Sequence, residues 1–111
     1  MRGEEELQAM SPEKFCCRVF DTGGDRILAV CDSSVLGMVF EDDGLRIHVS
    51  EEFYFSEERD ESGIVSLMES CTIVNAVGEK IIGIMLEKGI VDEGCILRVS
   101  GVPHAQVVSV V

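Results

Sequence analysis

Residues 26–32, RILAVCD, are apolar without a break from Ile27 to Cys31. A half-exposed strand alternates apolar and polar side chains, so an unbroken run of this length reads as a central strand, buried on both faces. The segment KFCCRVF stands before it, separated by DTGGD, a Gly-Gly turn signal. Phe15–Phe20 and Arg26–Cys31 are therefore expected to form an antiparallel hairpin.

The rest of the chain is read outward from that hairpin. Asp32, Ser33 and Ser34 are helix-capping types, and a short helical turn is expected through Val35 and Leu36, stopping near Gly37. EDDG is a second turn. LRIHVS then alternates, with Leu45, Ile47 and Val49 on one face and Arg46, His48 and Ser50 on the other, as a half-buried strand does. Residues 51–61 carry six acids against one Arg and read as a solvated loop or short irregular helix, with Phe53, Tyr54 and Phe55 tucked partly inward.

Helical spacing of Ile64, Leu67, Met68 and Cys71 predicts a helix over residues 62–71. TIV is read as a short strand. Asn75 is the expected N-cap of a second helix carrying Val77, Ile81, Ile82, Met85 and Leu86 on one stripe, with Gly89 closing it and Ile90 packing back on Met85. CILRVS and QVVSVV read as strands joined by the loop GVPHA, the last one interior because Val107, Val108, Val110 and Val111 are nearly continuous. The sum is an α+β domain over residues 14–111: a mostly antiparallel sheet of about five strands, with two helices packed on one face. Residues 1–13, polar and acidic, are read as an N-terminal extension.

With 5% aromatics and no Trp, the core is expected to be aliphatic. Asp plus Glu number 21 against 9 Lys plus Arg, a net charge of −12. Such a surface repels nucleic-acid backbones and anionic lipid at long range. In a salty cytoplasm the Debye length falls to about 3 Å at 1 M, and local patches then matter more than net charge. No apolar stretch approaches the ~20 residues of a membrane span, and the start has no signal-like apolar region, so the expected location is cytoplasmic, with no membrane partner. The five cysteines include no C-x-x-C pair; they read as buried hydrophobes in a reducing compartment, with no metal or cofactor expected.

Three sets of residues are candidates for chemistry. The first is the loop Gly101, Pro103, His104 and Gln106, where Pro and Gly would hold an imidazole in a fixed direction. Its structural alternative is a turn residue that happens to be His. The second is the helix start Asn75, Gly78 and Glu79, whose free N–H groups suit an anion; close helix–sheet packing at Gly78 is the favoured alternative. The third is a basic face of Arg26, Arg46, His48 and Arg98, suited to phosphate or RNA if these share one side of the sheet; cross-strand ion pairing is at least as good an account. TGGD lacks the pattern of a phosphate loop. Cys31 is the best-placed thiol for a Cys–His pair, but the neighbouring Asp32 would raise its pKa.

Taken together, TGG-RILAVCD, LRIHVSEEFY, IVNAVGEK and SGVPHAQVV resemble an archaeal family of small proteins, domain-of-unknown-function family 424. The resemblance spans about residues 15–111 and rests on Gly23, Gly24, Asp32, Asn75, Gly78, Glu79, Gly101, Pro103, His104 and Gln106. The chain departs from the family after Tyr54, where FSEE replaces a Gly-rich turn. The resemblance implies a small cytosolic archaeal protein and carries no activity with it. Its archaeal origin suits the salt account of the acidity.

The reading that follows is a non-enzymatic binding module in information processing, touching RNA or a translation-associated protein. Two alternatives stand beside it. One is a small enzyme using His104 with Asn75 or Glu79. The other is a structural subunit whose apolar sheet edge pairs with itself or another chain. The sequence leaves the oligomeric state open.

Overall fold

The computed structural model describes residues 13–109. The N-terminal extension up to residue 12, and Val110 and Val111, lie outside the described residues. The expected hairpin is present: β1 (Lys14–Thr22) and β2 (Asp25–Asp32) pair antiparallel from Phe15↔Asp32 to Thr22↔Asp25. Gly23 (φ 53°) and Gly24 (φ 95°) form its two-residue turn. Positive φ at both positions matches the twist of the flanking strands and is what Gly-Gly permits.

A 3-10 turn (Ser33–Val35) follows β2, and Gly37 ends this segment at φ 85°. β3 (Val39–Asp42) and β4 (Leu45–His48) then form a hairpin that is a sheet of its own. A short helix α1 (Glu51–Tyr54) is capped by the Ser50 hydroxyl, which accepts from the Phe53 N–H. β5 (Glu57–Asp60) leads into α2 (Glu61–Glu69), whose first turn is capped by Asp60 accepting from the Gly63 N–H. β6 (Ile73–Val77), α3 (Glu79–Glu87), a 3-10 turn (Glu93–Cys95), β7 (Leu97–Val99) and β8 (Val102–Val108) complete the chain.

The main sheet has six strands in the order β5-β1-β2-β6-β8-β7. All neighbours are antiparallel except β2 and β6, which run parallel. The class is α+β and the sheet mostly antiparallel, as expected. Among the described residues the strand count rises from about five to six plus two, and three α-helices form instead of two. β5 escapes pattern reading because its sequence is EERD: an exposed edge strand needs no apolar alternation, and acids there discourage further pairing.

The helices also do not all lie on one face. Leu28 and Val30 of β2 pack with Phe15, Cys17, Ile64, Ile81, Ile82 and Met85 under α2 and α3. Ala29 and Cys31, pointing the other way, pack with Cys16, Val49, Tyr54 and Val77 under α1 and the β3–β4 hairpin. Central strand β2 is thus covered on both sides, which is why the run Ile27–Cys31 has no polar side. α3 ends as expected: Ile90 N–H donates to Met85 O and Gly89 N–H to Leu86 O, with Gly89 at φ 71°.

Candidate functional site

The second candidate set, around Asn75, Gly78 and Glu79, resolves into a structural device. Asn75 does not cap α3; it lies inside β6, paired with Ala29 and Gln106. The cap comes from far away in sequence. Asp32, at the end of the parallel neighbour β2, accepts from Lys80 N–H on Oδ2 and from Ile81 N–H on Oδ1, each at 2.9 Å. Burial pushes the Asp32 carboxyl up, against the pull of those two N–H groups and of the Lys80 ammonium. The anion position at this helix start is therefore filled by the chain's own carboxylate. Gly78 follows from the same packing. Its φ is 129°, and a Cβ there would lie 2.4 Å from Asp32 Cγ. Glu79 is exposed in the first turn of α3.

The first candidate set is not a loop. The turn is Ser100–Gly101, with φ of 52° and 81°, and Pro103, His104 and Gln106 belong to β8. Ser100 fastens this turn to the β3–β4 hairpin, its hydroxyl donating to Glu41 O at 2.7 Å and its N–H to Asp42 Oδ2 at 3.1 Å. A proline is tolerated in β8 because its main-chain groups turn toward β6 just past the last β6 residue. Pro103 O accepts there from Gly78 N–H, and no donor is needed beside it. His104 pairs with Val77 on one side and Leu97 on the other. Burial lowers its pKa, favouring the neutral imidazole.

The register places Asn75, His104 and Gln106 on one face of β6 and β8, Asn75 directly opposite Gln106 and diagonal to His104. Diagonal neighbours of this kind stand about 7–8 Å apart. Glu79 is not with them; it opens α3, which packs on the opposite face. The Cys31 proposal fails on burial: its thiol has no exposure, and desolvation, with Cys16 and Asp32 adding to it, pushes its pKa up to about 12. Cys17 is likewise held up to about 11 by burial, and only Cys95 among the five cysteines is exposed.

The basic face does not assemble. Arg46 and His48 lie on the separate β3–β4 hairpin, while Arg26 and Arg98 sit on β2 and on the far edge strand β7. Each arginine is held by an acid of its own: Arg26 by Asp21 at 3.8 Å, Arg46 by Glu41 at 3.1 Å, Arg98 by Glu93 at 3.8 Å. The first two are direct cross-strand partners. Arg59 and Lys80 are paired in the same way, with Glu57 and Glu13. His48 lines a groove with Arg18, Glu51, Glu52 and Phe55. In it Arg18 donates to Glu52 O at 2.9 Å and lies over the Phe20 ring, which stacks on Phe53 at 5.3 Å.

Two features carry no signal that local sequence reading could find. One is Asp32 as a remote cap. The other is the outer side of β8, where Val108 is 58% exposed beside a groove lined by Gly89, Ile90, Val91, Asp92, Cys95 and Gln106–Val108. Among the described residues no three His, Cys, Asp or Glu side chains are grouped to hold a metal, and no helix is long and apolar enough to cross a membrane.

The fold is similar to that in the crystal structure of an uncharacterized conserved protein from Methanopyrus kandleri. The two are 25% identical, with a TM-score of 0.70 over 88% of this chain and 95% of that one. No curated protein matches the chain. The family described as Protein of unknown function (DUF424) matches residues 20–110, and the chain belongs to that family.

Proposed function

We propose that the chain is a non-enzymatic binding module whose partner is a cationic protein. One observation carries the reading: Arg26, Arg46 and Arg98 are scattered and each is paired with an acid, on a chain of net charge −12. An RNA backbone needs unpaired Lys and Arg gathered on one surface. A cationic protein needs the reverse, a surface whose acids outnumber its bases. Proteins that handle RNA in translation are themselves rich in Lys and Arg, because they neutralise phosphates. A translation-associated partner therefore supplies the complementary charge.

Catalytic alternatives lack support by comparison. The buried thiols are held protonated, and Glu79 is on the other side of the sheet from His104. The test is fluorescence anisotropy of a labelled Lys/Arg-rich polypeptide and of a labelled short single-stranded RNA, each titrated with the full chain over a range of salt. The polypeptide should bind with an affinity that falls as salt rises, and the RNA should not bind. RNA binding with a steep salt dependence, or no binding of the polypeptide, overturns the reading.

A further inference from the structure

Resting on that reading, we propose that the partner docks on the outer edge of β8 at Gln106–Val108, as an extended segment with apolar residues on one face and Lys or Arg on the other. Gly78 N–H donates to Pro103 O at 3.0 Å, and Ser109 N–H donates to Thr72 O at 2.7 Å. Main-chain groups in an antiparallel strand point alternately to either side. Pro103, Ala105, Val107 and Ser109 therefore face β6, and Val102, His104, Gln106 and Val108 face β7.

β7 is too short to use all of them. It pairs only with Val102, Pro103 and His104. Before Leu97 the chain turns away as a 3-10 turn, where Cys95 N–H and Ile96 N–H donate back to Asp92 O and Glu93 O. Gln106 and Val108 are left with two N–H and two C=O groups directed outward, with no main-chain partner among the described residues. Among the described residues β8 is the edge of the sheet over this stretch. On the opposite side β5 covers β1 only over Lys14–Cys17 and is guarded by its acids, and β1 continues beyond it through Arg18 and Asp21; β8 carries Gln-Val-Val.

A groove of about 250 Å³ runs beside this edge. An added strand would sit about 4.8 Å from β8, which is the lateral spacing of a sheet. On the Val107 side its residues would meet Ile90 and Val91, so they should be apolar. On the other face they would stand beside Gln106 and the exposed Val108 and face solvent, on a chain of net charge −12, so they should be cationic. A second copy of the chain would bring another −12 to the interface, which argues against self-pairing as the resting use of this edge.

The probe is a labelled peptide of alternating Val and Lys, titrated into the full chain at low salt by anisotropy, with residue-resolved amide exchange on the same complex. The expected result is binding that slows exchange of the Gln106 and Val108 amides, and no binding by a Val/Glu peptide. Val108→Pro removes one outward donor and no bond to β6, and should weaken the peptide about tenfold, the scale of one lost hydrogen bond, while the unfolding midpoint is kept. Protection appearing elsewhere, or equal binding to Val108→Pro, overturns the edge site and leaves the protein-binding reading standing. Failure of every cationic peptide overturns both. A dimer protected at Gln106 and Val108 without peptide assigns the edge to self-association instead.

Discussion

Two rows of main-chain donors can be compared in this molecule, one at the start of α3 and one along the outer side of β8. At the start of α3, Lys80 and Ile81 N–H are met by both oxygens of Asp32, which is 5% exposed, and Gly78 makes room for the contact. Along β8, Gln106 and Val108 have no such partner among the described residues. The sequence points to the first row through Gly78 and Glu79 and touches the second only at Gln106, and the two rows have opposite meanings. A row that the fold satisfies from within is structural. A row left open on a regular strand, beside a groove, is available to another chain.

The contrast can be broken first at its closed side. Gly78→Ala should have the largest effect, a loss of about 3 kcal/mol in chemical denaturation. The strain of φ 129° adds to a Cβ contact of 2.4 Å with a carboxylate that cannot move without losing two hydrogen bonds. Asp32→Ala should come next, at about 2 kcal/mol, because it leaves two helix N–H groups without an acceptor. The double variant should lose less than the sum, since removing the carboxylate removes the clash; strict additivity would show that the two residues do not act as one unit.

Smaller effects sharpen the open side. His104 has a folded-state pKa below its ordinary 6.5 because of burial. Its contribution to stability is therefore complete above about pH 6.5 and is lost as pH falls through the folded-state value. His104→Gln should flatten that part of the stability–pH profile and leave the acid limb set by carboxylates; an unchanged profile would contradict the burial account. Val108→Pro should shift stability by no more than about 0.5 kcal/mol, because the group it removes faces outward. A large loss would mean that the edge is not open.

These residues also explain what could be read from the sequence. The β1–β2 hairpin and the Gly89 ending of α3 were legible because turn and partners are neighbours in the chain. The cap of α3 was not: Asp32 lies 48 residues from Lys80, and Asn75 offered a false local substitute. GVPHA read as a loop because Gly and Pro usually interrupt strands, yet the interruption ends at Gly101, and Pro103 sits where the ladder asks for no donor. The basic face was legible as residues but not as a surface, since strand alternation says nothing of which sheet a strand joins. Arg46 joined the other one.

The most direct test is residue-resolved native-state amide exchange on the free, full-length chain. Exchange should be slow at Lys80 and Ile81, slow at Val107, whose N–H faces β6, and fast at Gln106 and Val108 on either side of it. That alternation within three consecutive residues would mark β8 as an open edge. Gln106 and Val108 as protected as Val107 would contradict it, and the docking edge would have to be given up.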